Sequence, residues 1–200
     1  LQYSSCLRNV TPVTTNIRGL SRAINNVLSS GETSQNRIRL DNDGCPRDMN
    51  RLVTQAMREG MGCMLRNNRG GSARSQRDVG LLLAMMSNPS QPFTVKCFQG
   101  NRGIPNHGHV LGVASMCSST ERGHAPYPGI NINLFAIGER NAERKIKATV
   151  YHEMLHTLGY PHGYAPDVSY WCEYCCFPSG GSRQRRRACE LCRQPDPPGR

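Results

Sequence analysis

Residues 152–162 read His-Glu-Met-Leu-His-Thr-Leu-Gly-Tyr-Pro-His, and no other run in the chain constrains its fold as tightly. At 3.6 residues per turn, His152 and His156 fall one turn apart on a single helix face, where their imidazoles can share one cation. Glu153 adjoins the first histidine and can sit beside water at the metal without binding the metal itself. Gly159 can adopt a positive φ and end the helix sharply. Pro161 stiffens the turn that follows, so His162 can swing back as a third ligand. Three neutral imidazoles leave a fourth position open for water, which is the layout of a catalytic zinc site. At this chain's own residue frequencies the whole pattern arises by chance roughly 2 times in 100,000 such chains, against about one in a hundred for H-E-x-x-H alone.

Periodicity places this run within a larger order of elements. Glu143 to Leu158 reads as a helix with Ile146, Val150, Met154, Leu155 and Leu158 on its buried side. Upstream, Val13 to Leu28 contains an amphipathic helix, Asn36 to Leu40 a short strand, and Asp48 to Leu65 and Ala73 to Met86 two further helices. Phe93 to Phe98, Val110 to Met116 and Ile130 to Phe135 alternate as strands. Helices, then strands, then one helix indicate an α+β class with a small mixed sheet. Beyond Gly159 no long periodic segment is expected. Residues 163–200 read as a Cys-rich C-terminal subdomain packing on a domain of residues 1–162. No apolar run approaches the roughly 18–20 residues of a membrane span.

The extended motif resembles the metzincin clan of zinc endopeptidases, marked by H-E-x-x-H-x-x-G-x-x-H and a following methionine turn. The segment Val110-Leu-Gly-Val-Ala-Ser-Met-Cys117 is similar to the strand edging the cleft in adamalysin-like members, where substrate backbone adds antiparallel to that edge. The resemblance implies a zincin-like fold, with His152, His156 and His162 as zinc ligands and Glu153 as general base. All eight methionines lie at or before Met154, so a residue within Val168 to Cys176 is expected to underlie the metal instead. Some metzincins stabilise the oxyanion with a tyrosine beyond the third histidine. Of Tyr160, Tyr164, Tyr170 and Tyr174, the last two lie where the methionine turn would fall and are the first candidates.

Ten cysteines suit an oxidising compartment, and Cys6, Cys45, Cys63, Cys97 and Cys117 are spaced for bridges between distant segments. Cys172, Cys175, Cys189 and Cys192 form two C-x-x-C pairs that also fit a four-thiolate structural zinc site, in partial similarity to archaemetzincins. With Cys176 included, full pairing into disulfides competes with that reading, and an oxidising compartment favours disulfides. The sequence starts at Leu1 with no signal-like segment ahead of the domain, as expected of a mature secreted product, or of any piece cut from a longer chain. His107, His109 and His124 fall on loops and could hold a second structural metal, but no acidic residue accompanies them within Gly100 to Ser119, so loop histidines without a metal are the expected reading. Arg183-Gln-Arg-Arg-Arg187 reads as a solvated basic loop open to trypsin-like cleavage.

The leading expectation is therefore a secreted, monomeric zinc endopeptidase acting on protein or peptide substrates. Two other classes compete with it. With 25 Lys and Arg against 14 Asp and Glu, the chain could be a basic nucleic-acid-binding protein with a four-Cys zinc ribbon. Four Phe and one Trp leave it little for base stacking, however. A catalytically silent metal-binding toxin subunit is the third reading, against which the intact Glu153 argues.

Overall fold

The computed structural model describes residues 10–14, 16–29, 38–40, 44–67, 73–88, 93–99, 104, 110–115, 129–160, 162 and 167–194. Within them the class is α+β, as expected. The elements run α1 (Ile17–Ser29), β1 (Ile38–Leu40), α2 (Met49–Asn67), α3 (Ala73–Met86), β2 (Phe93–Phe98), β3 (Gly112–Ser115) and β4 (Gly129–Asn133). They continue as α4 (Leu134–Ile137), α5 (Ala142–Thr157), α6 (Val168–Cys176) and α7 (Ser182–Cys192). The sheet order is β1-β2-β4-β3. The first three strands are parallel, with Ile38 opposite Phe93 and Val95 opposite Ile130. β3 closes the edge antiparallel to β4, Gly112 opposite Ile132 and Ser115 opposite Gly129.

Helices α2 and α3 bridge β1 and β2, the long crossover that a parallel pair requires. β2 alternates as its sequence dictates, burying Phe93, Val95 and Cys97. The core gathers Leu20 and Ile24 of α1, Leu52, Val53, Met57 and Met61 of α2, Leu82 and Leu83 of α3, and Val150, Met154 and Leu155 of α5. Helix α5 packs on α2, on β3 and β4, and on α6. One side of the helix is thus anchored in the core while the other faces the sheet edge. Asn133, wholly buried, ends β4: its side chain accepts from Ala136 N at 3.1 Å, capping α4, and donates to Val110 O at 2.8 Å. That pair of bonds ties the approach to β3 against the end of β4.

Residues beyond Gly159 depart from expectation. Where no long periodic segment was expected the chain forms α6 and α7, and the basic run Arg183–Arg187 is helical rather than a loop. At nine and eleven residues these helices are too short to persist alone. Disulfides hold them: Cys172–Cys192 and Cys175–Cys189 rivet α6 to α7, and Cys63–Cys176 ties α6 to α2. Cys45–Cys97 braces the segment before α2 against β2. Cys6 and Cys117 lie outside the described residues. The expected strand 130–135 ends two residues early, because Leu134 and Phe135 turn into α4.

Cys63–Cys176 spans 113 residues, and a loop of that length restrains the unfolded chain strongly. Replacing both cysteines with alanine should cost about 2–5 kcal/mol in denaturant unfolding. A loss under about 1 kcal/mol would contradict a structural role for this bridge.

Candidate metal centre

The motif folds as its spacing requires. His152 and His156 project from the last turns of α5, Gly159 takes φ +94° just past its end, and His162 returns to them. The three Nε2 atoms lie 3.0, 3.0 and 3.4 Å apart. Metal–nitrogen bonds of about 2.0–2.1 Å at tetrahedral angles would set such donors roughly 3.3–3.4 Å apart. His152 and His156 are 7% and 8% exposed, while His162 closes the group from the solvent side.

Each ring is oriented from behind. His152 Nδ1 donates to Glu173 Oε2 at 2.8 Å, and His162 Nδ1 to Asp167 Oδ2 at 2.9 Å. His156 Nδ1 donates to the Tyr160 carbonyl, with Ser169 Oγ 3.3 Å away. An ionised carboxylate or a carbonyl can only accept, so all three protons sit on Nδ1 and all three Nε2 lone pairs face one another. That convergence is repulsive by itself and attractive around a cation. Metal-ligating histidines are almost always held this way, through the ring nitrogen that does not bind. The triad can therefore hold a metal ion.

The protonation equilibria follow the same geometry. Burial drives His156 down to about 4, helped by the neighbouring His152 and His162. Burial also opposes charge on His152, but the Glu173 hydrogen bond and the charges of Glu153, Glu173 and Asp167 outweigh it and raise the ring above its ordinary value. Glu153, 6% exposed, is pushed up to about 7 by burial, against the pull of His152, His162 and the Ala114 amide. A carboxyl poised there can both accept and return a proton near neutral pH.

Glu153 lies against β3. A Cβ on Gly112 would come within 2.8 Å of Glu153 Cγ and 2.7 Å of Thr149 Cγ2, so only glycine lets the edge strand approach the carboxylate this closely. The cleft beside them, about 830 Å³, is lined by Val113 and Ala114 of β3, by the α5 face carrying His152 and Glu153, and by Tyr170 and Tyr174 of α6. Tyr170 stands edge-on to His152 and His162, with centroids 5.8 and 6.2 Å away, and stacks on Tyr174 at 5.5 Å.

The sequence-predicted residues are thus largely gathered in one place: His152, Glu153, His156, His162, Tyr170 and Tyr174 share this cleft. Tyr160 does not join them, since its hydroxyl is buried and donates to Asp78 at 2.7 Å. Tyr164, His107, His109 and His124 lie outside the described residues. The four-thiolate zinc site at Cys172, Cys175, Cys189 and Cys192 is corrected: all four sulfurs are spent in two disulfides. The zinc-ribbon alternative thereby loses its ligands.

Sequence reasoning missed Asp167 and Glu173. Asp167 carries a readable signal, because it caps α6 through Tyr170 N at 3.1 Å while its other oxygen holds His162. With the cap recognised, Glu173 falls on the helix that faces α5. Comparison with known proteins finds no matching family model, no matching curated protein and no matching solved structure.

Glu173→Gln exchanges the charged acceptor for a neutral amide. Metal affinity should fall about 10- to 100-fold, as read by competition with a chromophoric chelator. Unchanged affinity would mean that Glu173 does not support the ligand set.

Proposed function

We propose that this chain is a secreted zinc-dependent endopeptidase of metzincin-like fold. The observation that carries the reading is the convergence of three Nε2 lone pairs beside a buried carboxylate, in a cleft edged by the terminal strand of a sheet. Nitrogen donors in a three-imidazole set suit zinc, with one position left open. When bound, zinc supplies a Lewis acid that makes water more acidic and polarises a carbonyl.

The chain's own residues do the rest. Glu153 takes a proton from water in the cleft and delivers it to the leaving amine nitrogen, acting first as general base and then as general acid. Tyr170 faces the same space, and burial, reinforced by Tyr174, Glu173 and Asp167, raises its hydroxyl above the ordinary value. It therefore stays protonated and can donate to an oxyanion. β3 pairs with β4 on one side, and a substrate backbone can add as a strand on the other. Four disulfides among the described residues support an oxidising, extracellular setting. Among the described residues no helix is long and apolar enough to cross a membrane.

The reading is tested with a denatured, disulfide-free protein substrate. The wild-type chain should cleave it, lose activity to a chelator and regain it with zinc. Glu153→Ala should keep its zinc and lose at least about 1,000-fold in kcat/KM, more than the loss of hydrogen bonding alone would give. A Glu153→Ala chain that cleaves as well as wild type would overturn the assignment.

A further inference from the structure

The cleft does not end at the histidines. It continues along α5 past Ala148 and Thr149 to Arg144 and Lys145, with Phe177 and Ser179 also in its lining. The spacing is helical: Arg144 and Lys145 stand eight residues before His152 and Glu153, and Ala148 and Thr149 stand midway. Eight residues span about 12 Å of helix axis, the length of roughly four residues of extended peptide.

The charges along this path are sharply sorted. Near the histidines the carboxylates are already engaged, Glu173 and Asp167 with His152 and His162, and Glu153 against β3. At the far end stand two cations. Arg144 donates to the Pro178 carbonyl at 2.9 Å and Lys145 to the Ile137 carbonyl at 2.9 Å, both neutral acceptors. Glu143, their neighbour in sequence, pairs instead with Arg51 on α2 at 3.4 Å. Among the described residues neither cation meets a carboxylate. Their carbonyl bonds hold both side chains at the cleft wall with their charge uncompensated.

We propose that Arg144 and Lys145 form an acidic-residue subsite, so that the chain selects peptides carrying Asp or Glu about two to four residues from the bond that is cut. Between this subsite and the histidines the wall is small and uncharged, with Ala148 and Thr149, and it accommodates the intervening side chains without a charge of its own. The proposal deepens the endopeptidase reading and rests on it for the cutting step, but the binding preference is a property of the cleft alone.

The test separates the two. Zinc-loaded Glu153→Ala is titrated by fluorescence anisotropy with two labelled peptides, identical except for Glu or Gln at the positions named. The Glu peptide should bind about 10-fold more tightly, with the ratio falling toward one between roughly 0.05 and 0.5 M salt. Arg144→Ala/Lys145→Ala should bring the ratio to within about two-fold, and Arg144→Glu/Lys145→Glu should reverse the preference toward a Lys-bearing peptide. Equal binding of the two peptides, or a preference that the substitutions leave in place, overturns the subsite. If discrimination appears in binding but the wild-type chain cleaves neither peptide, the subsite stands and the endopeptidase reading falls.

Discussion

Three Nδ1–H donors, each fixed by an acceptor outside the ligand triangle, are the interaction on which the rest of this structure depends. Glu173, Asp167 and the Tyr160 carbonyl decide which nitrogen of each ring carries a proton, and so decide that the other three face inward. Two of those acceptors come from α6 or its cap. A helix of nine residues, with two buried cysteines where a core helix would carry leucines, has thereby become the floor of the site. Ser169, fully buried in the stretch Val168 to Cys176 that was expected to underlie a metal, has its Oγ 3.3 Å from His156 Nδ1.

That arrangement explains the use of disulfides. The ligand supports must be held to within a fraction of an ångström if the metal geometry is to survive. The region that carries them buries few large apolar side chains. Covalent bridges supply the rigidity that burial does not. Two link α6 to α7, and one reaches across to α2, which packs against α5 from behind. The two sides of the centre, the ligand helix and the support helix, are thus referred to the same core element.

Much of this was legible in the sequence where apolar periodicity speaks. Ala73 to Met86 and Phe93 to Phe98 fold over the residues their patterns indicate. The ligand helix begins and ends within one residue of expectation. Gly159 takes the positive φ that the returning histidine needs. Legibility failed where burial is carried by other residue types. Helix α6 buries Val168, Ser169, Cys172 and Cys175, spaced by one, three and three residues, a helical period written in serine and sulfur instead of leucine. Helix α7 buries only Ala188, Cys189 and Cys192 under an arginine-rich face, and a charge run gives no periodic signal. Glu173 was missed for the same reason, because a carboxylate beside a histidine in space has no mark in sequence until the helix that carries it is recognised; Asp167 is readable only as that helix's cap.

The central claim is that His152, His156 and His162 hold one catalytic zinc. Elemental analysis of natively purified protein, without added metal, tests it most directly. One zinc per chain, lost when His156 is replaced by alanine, is the predicted result. A chain that contains no zinc and takes up none on addition would contradict the account.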